Sequence, residues 1–372
     1  MKTRCIITFL SVFLLIAVFS ASALAGWTVT YLHPAGYTES GALGISGGQL
    51  AGSLTGPTTS NNIHAGIYSR TAGSWVDVTP AGSPAGVIKS TSGTNQAGSA
   101  YFDGQWHAGL WNGTAASFVD LHPTGGYFRS AAEAVSGNQQ VGSVSVQVTD
   151  VSFKSYAALW TGTAGSFVNL NPLGCTSSNA FGVLNGKQVG EANGRAGYWT
   201  GNAETWTDIN PASCVGSNLR GLSADQEVGE AFAEAWGYKR HAALWSGTAE
   251  SYVNLHPSLA WPESTAYRVS GGWQVGAVCN PGEIYQSHAS LWNGTAESWV
   301  DLHSLLSPDY SRSEAMDIEV VGDELWIAGW VLSSSDNSEA VMWHYEPVPE
   351  PSSLLILGSG VLALAGFVRR KR

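Results

Sequence analysis

His241-Ala-Ala-Leu-Trp-Ser-Gly-Thr-Ala-Glu-Ser-Tyr-Val-Asn-Leu-His-Pro257 decides the fold. It places two short apolar-aromatic segments on either side of a Gly-containing turn, which is the pattern of a hairpin. The first segment recurs as His64–Tyr68, His107–Trp111, Tyr156–Trp160, Arg195–Trp199, His288–Trp292 and Glu339–Trp343. The second recurs as Ser74–Pro80, Ser117–Pro123, Ser166–Pro172, Thr205–Pro211 and Ser298–His303, with a looser copy at Trp27–Pro34. Each phrase therefore occurs seven times. Two further short segments complete each unit, as in Ser130-Ala-Ala-Glu-Ala-Val135 and Gln139-Gln-Val-Gly-Ser143. Four short strands every roughly 40–50 residues mark a propeller blade.

The order of the phrases adds closure. The repeat region begins with a fourth-strand phrase and ends with a third-strand phrase, so the first strand can complete the last blade and leave no open sheet edge. The expectation is an all-β, seven-bladed β-propeller over residues 26–346, with an open β array as the alternative.

Composition agrees. Charged residues are 12% of the 372, with 45 Gly and 16 Trp; this suits short strands and tight turns rather than helices or disorder. Without residues 1–25 and 350–372, the chain keeps 11 Lys/Arg against 27 Asp/Glu, a net charge of −16. Such acidity argues against nucleic acid and anionic lipid as partners.

The two ends read as addresses. Lys2 and Arg4 precede the apolar run Cys5–Phe19, and Ala23-Leu24-Ala25 offers a small-residue cleavage site after Ala25. Residues 1–25 read as a signal peptide, the alternative being an uncleaved anchor helix. At the other end, Pro349-Glu350-Pro351 is followed by the apolar stretch Leu354–Val368 and by Arg369-Arg370-Lys371-Arg372. Charge alone predicts a membrane helix with a cytoplasmic basic tail. The three parts in this order resemble the PEP-CTERM sorting signal, here residues 347–372. That resemblance implies processing by an exosortase-type enzyme, passage through the inner membrane, and a place in the envelope, on the surface or in the exopolysaccharide matrix of a Gram-negative bacterium. The Gln-x-Val-Gly and His-Ala-x-Leu-Trp phrases resemble the bacterial extracellular HAF repeat, although the third position of the latter is Gly, Ala, Ser or Val rather than Phe. The resemblance implies an extracellular location and no particular activity.

Symmetry separates fold from function, because a unique site must break a seven-fold pattern. Eight of the nine His fall in the two phrases, which argues against a catalytic or metal-binding His. The repeated Asp77, Asp120 and Asp301 are expected to bond turn backbone. Ten Trp occupy repeat positions; Trp106, Trp236, Trp261, Trp273, Trp326 and Trp330 do not. Trp236, Trp261 and Trp273 are candidate sugar platforms, with local packing the alternative. After the Val-Gly pair runs a variable ring in which Glu191 and Glu230 sit on adjacent blades, candidates for ligand binding or for an acid/base pair. Cys175 and Cys214 occupy equivalent points of neighbouring repeats and could form a disulfide or stay free. No cofactor or metal motif is present. The expected function is a non-catalytic surface propeller binding an exopolysaccharide or a protein. The alternatives are a propeller lyase or glycosidase and a purely structural surface protein.

Overall fold

The computed structural model describes residues 26–149, 152–257, 260–280 and 286–347. The signal peptide with Ala23 and Ala25, and the sorting tail from residue 348 onward, lie outside them. No helix among the described residues is long and apolar enough to cross a membrane. Two compact units divide the chain: Val29–His344, and the terminal segments Met1–Thr28 with Tyr345–Arg372. In the second unit the Glu346 N–H donates to the Gly26 carbonyl (2.9 Å), and the Trp27 and Tyr345 rings lie 5.2 Å apart.

The first unit holds seven four-stranded antiparallel sheets. In blade 1 the strands are Glu39–Ser46, Gln49–Thr55, His64–Ser69 and Val76–Asp77, paired in chain order. Blades 2 to 6 repeat this order. Blade 7 is built from Tyr310–Val321, Glu324–Ser333 and Ser338–Tyr345, and its outer strand is Trp27–Tyr31. Leu32 N–H donates to Ala340 O at 2.8 Å, so the closure expected from the phrase order is made.

The core lies between blades. Trp111, Trp160, Trp199, Trp245, Trp292 and Trp343 are fully buried, with Tyr68 in the seventh equivalent position. Each packs against the neighbouring blade; Trp160, for example, shares a cluster with Ala97, Ala108 and Leu121 of blade 2. These aromatic anchors are the largest fully buried side chains of the core, whose apolar burial offsets chain entropy.

A buried serine staples blade to blade. The Ser178 hydroxyl accepts the Ala157 N–H (3.0 Å) from blade 3 and donates to Asn171 Oδ1 (2.8 Å). Ser40, Ser130, Ser217, Ser264 and Ser313 repeat this, paired with His33, His122, Asn210, His256 and His303. At the junction of blades 1 and 2, Gly86 replaces the serine and Thr79 Oγ1 accepts the Ala65 N–H directly (2.9 Å). A Val-Asp-Leu-His-Pro phrase thus encodes a joint as well as a strand.

The Gln-Val-Gly phrase has two separate tasks. Buried Gln96, Gln140, Gln188 and Gln274 each accept a turn Gly N–H at 2.8 Å from the third-to-fourth strand connection. The Gly faces inward. At Gly52, Gly98, Gly142, Gly190, Gly229, Gly276 and Gly329 an added Cβ would lie 1.8–2.1 Å from a carbonyl oxygen of the first strand. Only glycine tolerates so close a backbone approach.

Candidate functional site

That close approach accompanies a β-bulge. In all seven blades the pairing of the first two strands skips one first-strand residue, two positions after the carbonyl that presses on the glycine. The bulge bends the strand and re-aims one side chain. Those side chains are Leu43 in blade 1, Lys89 in blade 2, Glu133 in blade 3, Phe181 in blade 4, Arg220 in blade 5, Tyr267 in blade 6 and Met316 in blade 7. All seven are half-buried and line one cavity of about 360 Å³. The first strands are therefore the inner strands, and the cavity is the mouth of the central channel. The backbone repeats seven times there and no residue type recurs.

The wall over blades 5 and 6 is the polar part. Glu230, 3% exposed, takes Arg220 Nη2 at 3.0 Å on one oxygen and the Thr265 hydroxyl at 2.7 Å on the other. Arg240 donates through Nη2 to Glu263 at 2.7 Å. On the other side of the ring, Lys89 of blade 2 pairs with Glu133 of the adjacent blade 3 at 2.5 Å. Arg268 donates to the carbonyls of Arg220 (2.6 Å) and Tyr267 (3.0 Å). Further along the inner strands, Asp317 accepts the Ile45 and Ile318 N–H groups at 2.9 Å, and burial, opposed by Arg268 and these hydrogen bonds, pushes its carboxyl up to about 6.

A second cavity, of about 400 Å³, shares Lys89 with the first. Trp106, Arg129, Asn179 and the hydroxyls of Ser99, Ser143, Ser145 and Ser155 line it. Its far wall is the long hairpin of Gln139–Thr149 and Ser152–Trp160 in blade 3.

The structure scatters the residues singled out in the sequence. Glu230 lies in the channel cavity. Glu191 instead accepts from Asn179 (2.7 Å) and from the Gly194 N–H of its own turn (2.8 Å). Trp236 stacks on His241 with ring centroids 4.1 Å apart and Trp261 packs on His288 at 4.6 Å, each against an inter-blade cluster. Trp273 is half-buried opposite Ser270 at the start of its strand. The disulfide is not formed: Cys175 and Cys214 are both free thiols. Cys214 points into the apolar cluster of Val189, Ile209 and Leu219, while Cys175 stays at a half-exposed loop, and burial raises both thiols. Asp77, Asp120 and Asp301 each accept the N–H two residues on, at 2.8–2.9 Å, as turn residues do. Among the described residues no three His, Cys, Asp or Glu side chains converge as metal ligands.

The repeated histidines form stacked pairs, His107 on His122 (4.2 Å), His241 on His256 (3.9 Å) and His288 on His303 (4.0 Å). Burial and the facing ring push His241 and His303 down to about 4 and hold His122 below its ordinary range. The unfolded chain takes up these protons near pH 6.5 and the folded chain does not, so stability is complete above 6.5 and falls as pH drops toward 4. Asp317 runs the other way: its native carboxyl keeps a proton that the unfolded chain releases, so its contribution declines as pH rises from about 4 to 6. With three histidines against one carboxyl, the melting temperature is expected to fall between pH 6.5 and 5. His303→Asn, which keeps the staple that Asn171 and Asn210 make elsewhere, should flatten that fall. An unchanged slope in thermal melts of the variant would remove the stacks as the cause.

Comparison with known proteins adds the address. Residues 347–372 match the PEP-CTERM protein-sorting motif. This motif is the recognition signal for exosortase processing and indicates export and surface sorting in Gram-negative bacteria. No curated protein matches the chain in sequence. Among solved structures it is similar to the β-propeller domain of the Trilobed protease from Pyrococcus furiosus, with TM-score 0.54 and 8% identity over 85% of this chain and 100% of that one. It is also similar to a Mycobacterium tuberculosis puromycin-hydrolyzing peptidase (0.50, 12%, 84% and 55%) and to the Pyrococcus horikoshii acylaminoacyl peptidase (0.52, 9%, 86% and 54%). The chain spans about half the length of these two peptidases. At such identities the likeness shows the fold alone. The Pyrococcus furiosus domain is described as an open velcro, whereas here the first strand closes the last blade.

Proposed function

We propose that this PEP-CTERM-bearing propeller is a secreted, surface-sorted, non-catalytic module that binds an exopolysaccharide or a protein partner in the envelope or biofilm matrix through its channel mouth. One observation carries the reading: seven equivalent bulges present seven unlike side chains to a single cavity. A purely structural ring would have no use for that variety. The repeat resemblance supports the extracellular setting.

The geometry favours binding over hydrolysis. Glycosidase chemistry uses two carboxylates facing each other across a substrate gap. Glu133 and Glu230 are each engaged by a cation, and Glu191 and Glu234 are engaged in their own turns. The test is affinity electrophoresis of the full chain in detergent through gels cast with bacterial and plant polysaccharides, with and without Ca²⁺. At least one glycan should retard the protein, and the double variant Lys89→Gln/Phe181→Ala should lose about tenfold or more of that affinity. Retardation untouched by the variant would move the site off the channel. New reducing ends after incubation would make the protein an enzyme.

A further inference from the structure

We infer that the channel mouth is built for the carboxylate of an acidic saccharide, whose chain continues along the Trp106 groove. The inference rests on the reading of the propeller as a matrix-binding module and specifies its ligand.

Charge is the first argument. Only 11 Lys and Arg lie between residues 26 and 349, in a segment with net charge −16. Four of them, Lys89, Arg220, Arg240 and Arg268, line one cavity of about 360 Å³. Three have carboxylate partners, in Glu133, Glu230 and Glu263. Arg268 makes no ion pair among the described residues; two main-chain carbonyls orient it. Asp317, on the adjoining wall, accepts backbone N–H groups with both oxygens. Arg268, which feels the Asp317 charge without being bonded to it, is thus the one cation of the cavity with no carboxylate ion pair among the described residues. Arg220 is held in place by Glu230 through Nη2 at 3.0 Å, which fixes its guanidinium at the cavity wall. An anion beside guanidinium groups in a part-enclosed site gains charge-assisted hydrogen bonds that bulk water would weaken.

The walls select among anions. Phe181, with the Arg220 guanidinium 5.0 Å over its ring, and Tyr267 offer flat apolar faces beside the cations. Lys89 joins this cavity to the second one, which Trp106, Ser145 and Ser155 line together. Serine hydroxyls both donate and accept, matching the hydroxyl rows of a sugar, and an indole face suits the apolar face of a pyranose ring. An acidic peptide would use the cations but would leave the hydroxyl groove unmatched.

The test is isothermal titration calorimetry of the full chain in detergent against galacturonate, glucuronate and mannuronate tetramers, the same tetramers with carboxyls reduced to alcohols, and tetraglutamate. At least one uronate tetramer should bind, and its reduced form should bind tenfold or more weakly. Arg268→Gln should lose at least tenfold for that uronate with its melting temperature retained. If Arg268→Gln does not fold, Lys89→Gln serves, with a loss of at least threefold that shrinks as salt rises. Trp106→Ala should weaken the tetramer and not the monomer. Equal binding of the reduced tetramer, or equally tight binding of tetraglutamate, overturns the acidic-sugar inference and leaves the propeller a binding module of another kind. No binding by any of the three classes overturns the saccharide inference. If the polysaccharide gels also show no retardation, the matrix-glycan reading falls with it.

Discussion

Gly190→Ala should leave the protein without a cooperative unfolding transition. The added methyl would sit 1.9 Å from the Asn179 carbonyl oxygen and 2.9 Å from Ala180 Cα, both in the inner strand Ser178–Leu184. No rotamer can relieve an overlap between a Cβ and main chain, so relief requires the inner strand to move. That strand is tied at Ser178 to blade 3, and its bulge is set by the same pairing. The cost should exceed about 4 kcal/mol, beyond the usual range for one substitution. Gly165→Ala is the control. It makes the same chemical change at an exposed turn where nothing lies within 4 Å of the new atom, and should shift stability by less than about 0.5 kcal/mol. Urea titration followed by tryptophan fluorescence distinguishes the two. A fall of only a few degrees in the melting temperature of Gly190→Ala would mean that the inner strand can retreat.

Deleting residues 26–33 should be the second severe lesion, for a different reason. The deletion turns Ser338–Tyr345 into an open edge, with the Ala340 carbonyl no longer paired to Leu32. Leu32 also leaves a cluster with Leu50, Tyr68 and Met342, where it is fully buried. The His33–Ser40 joint goes with it. A large buried aliphatic, a strand of hydrogen bonds and a staple together should cost more than about 4 kcal/mol. The exposed edge should also make the truncated chain self-associate. Sedimentation should show concentration-dependent oligomers, and a synthetic peptide of residues 26–34 added in trans should return the monomer. A truncated chain that stays monomeric and melts normally would show that the outer strand is dispensable.

The seven blades, their four strands and the closing strand were legible because each leaves a local signature, an aromatic anchor, a Gly turn or a phrase out of order. The repeated Asp was also legible, since its turn bond spans two residues. The channel ring was missed. Its signal exists in the sequence: the central residue of Ala42-Leu43-Gly44, Ala132-Glu133-Ala134, Ala180-Phe181-Gly182 and their equivalents changes type in every blade between flanking residues that are mostly small. Symmetry-breaking was sought on the second strand instead, where Glu230 is the only one of the acids to reach the cavity. A bulge cannot be seen from alternation, because it is the point at which alternation fails. The stacking of Trp236 and Trp261 on histidines was equally hidden, since it joins residues from a loop and a strand that no period relates. For Cys175 and Cys214, equivalence along the chain did not translate into facing sulfurs.

The bulge has an evolutionary consequence. Each channel side chain belongs to a residue that its inner strand leaves out of the ladder, between neighbours that are paired. Selection can therefore trade specificity at seven positions almost independently of the scaffold. Closely related propellers sharing every glycine and every tryptophan could recognise unrelated molecules. Divergence among them should concentrate at residues 43, 89, 133, 181, 220, 267 and 316.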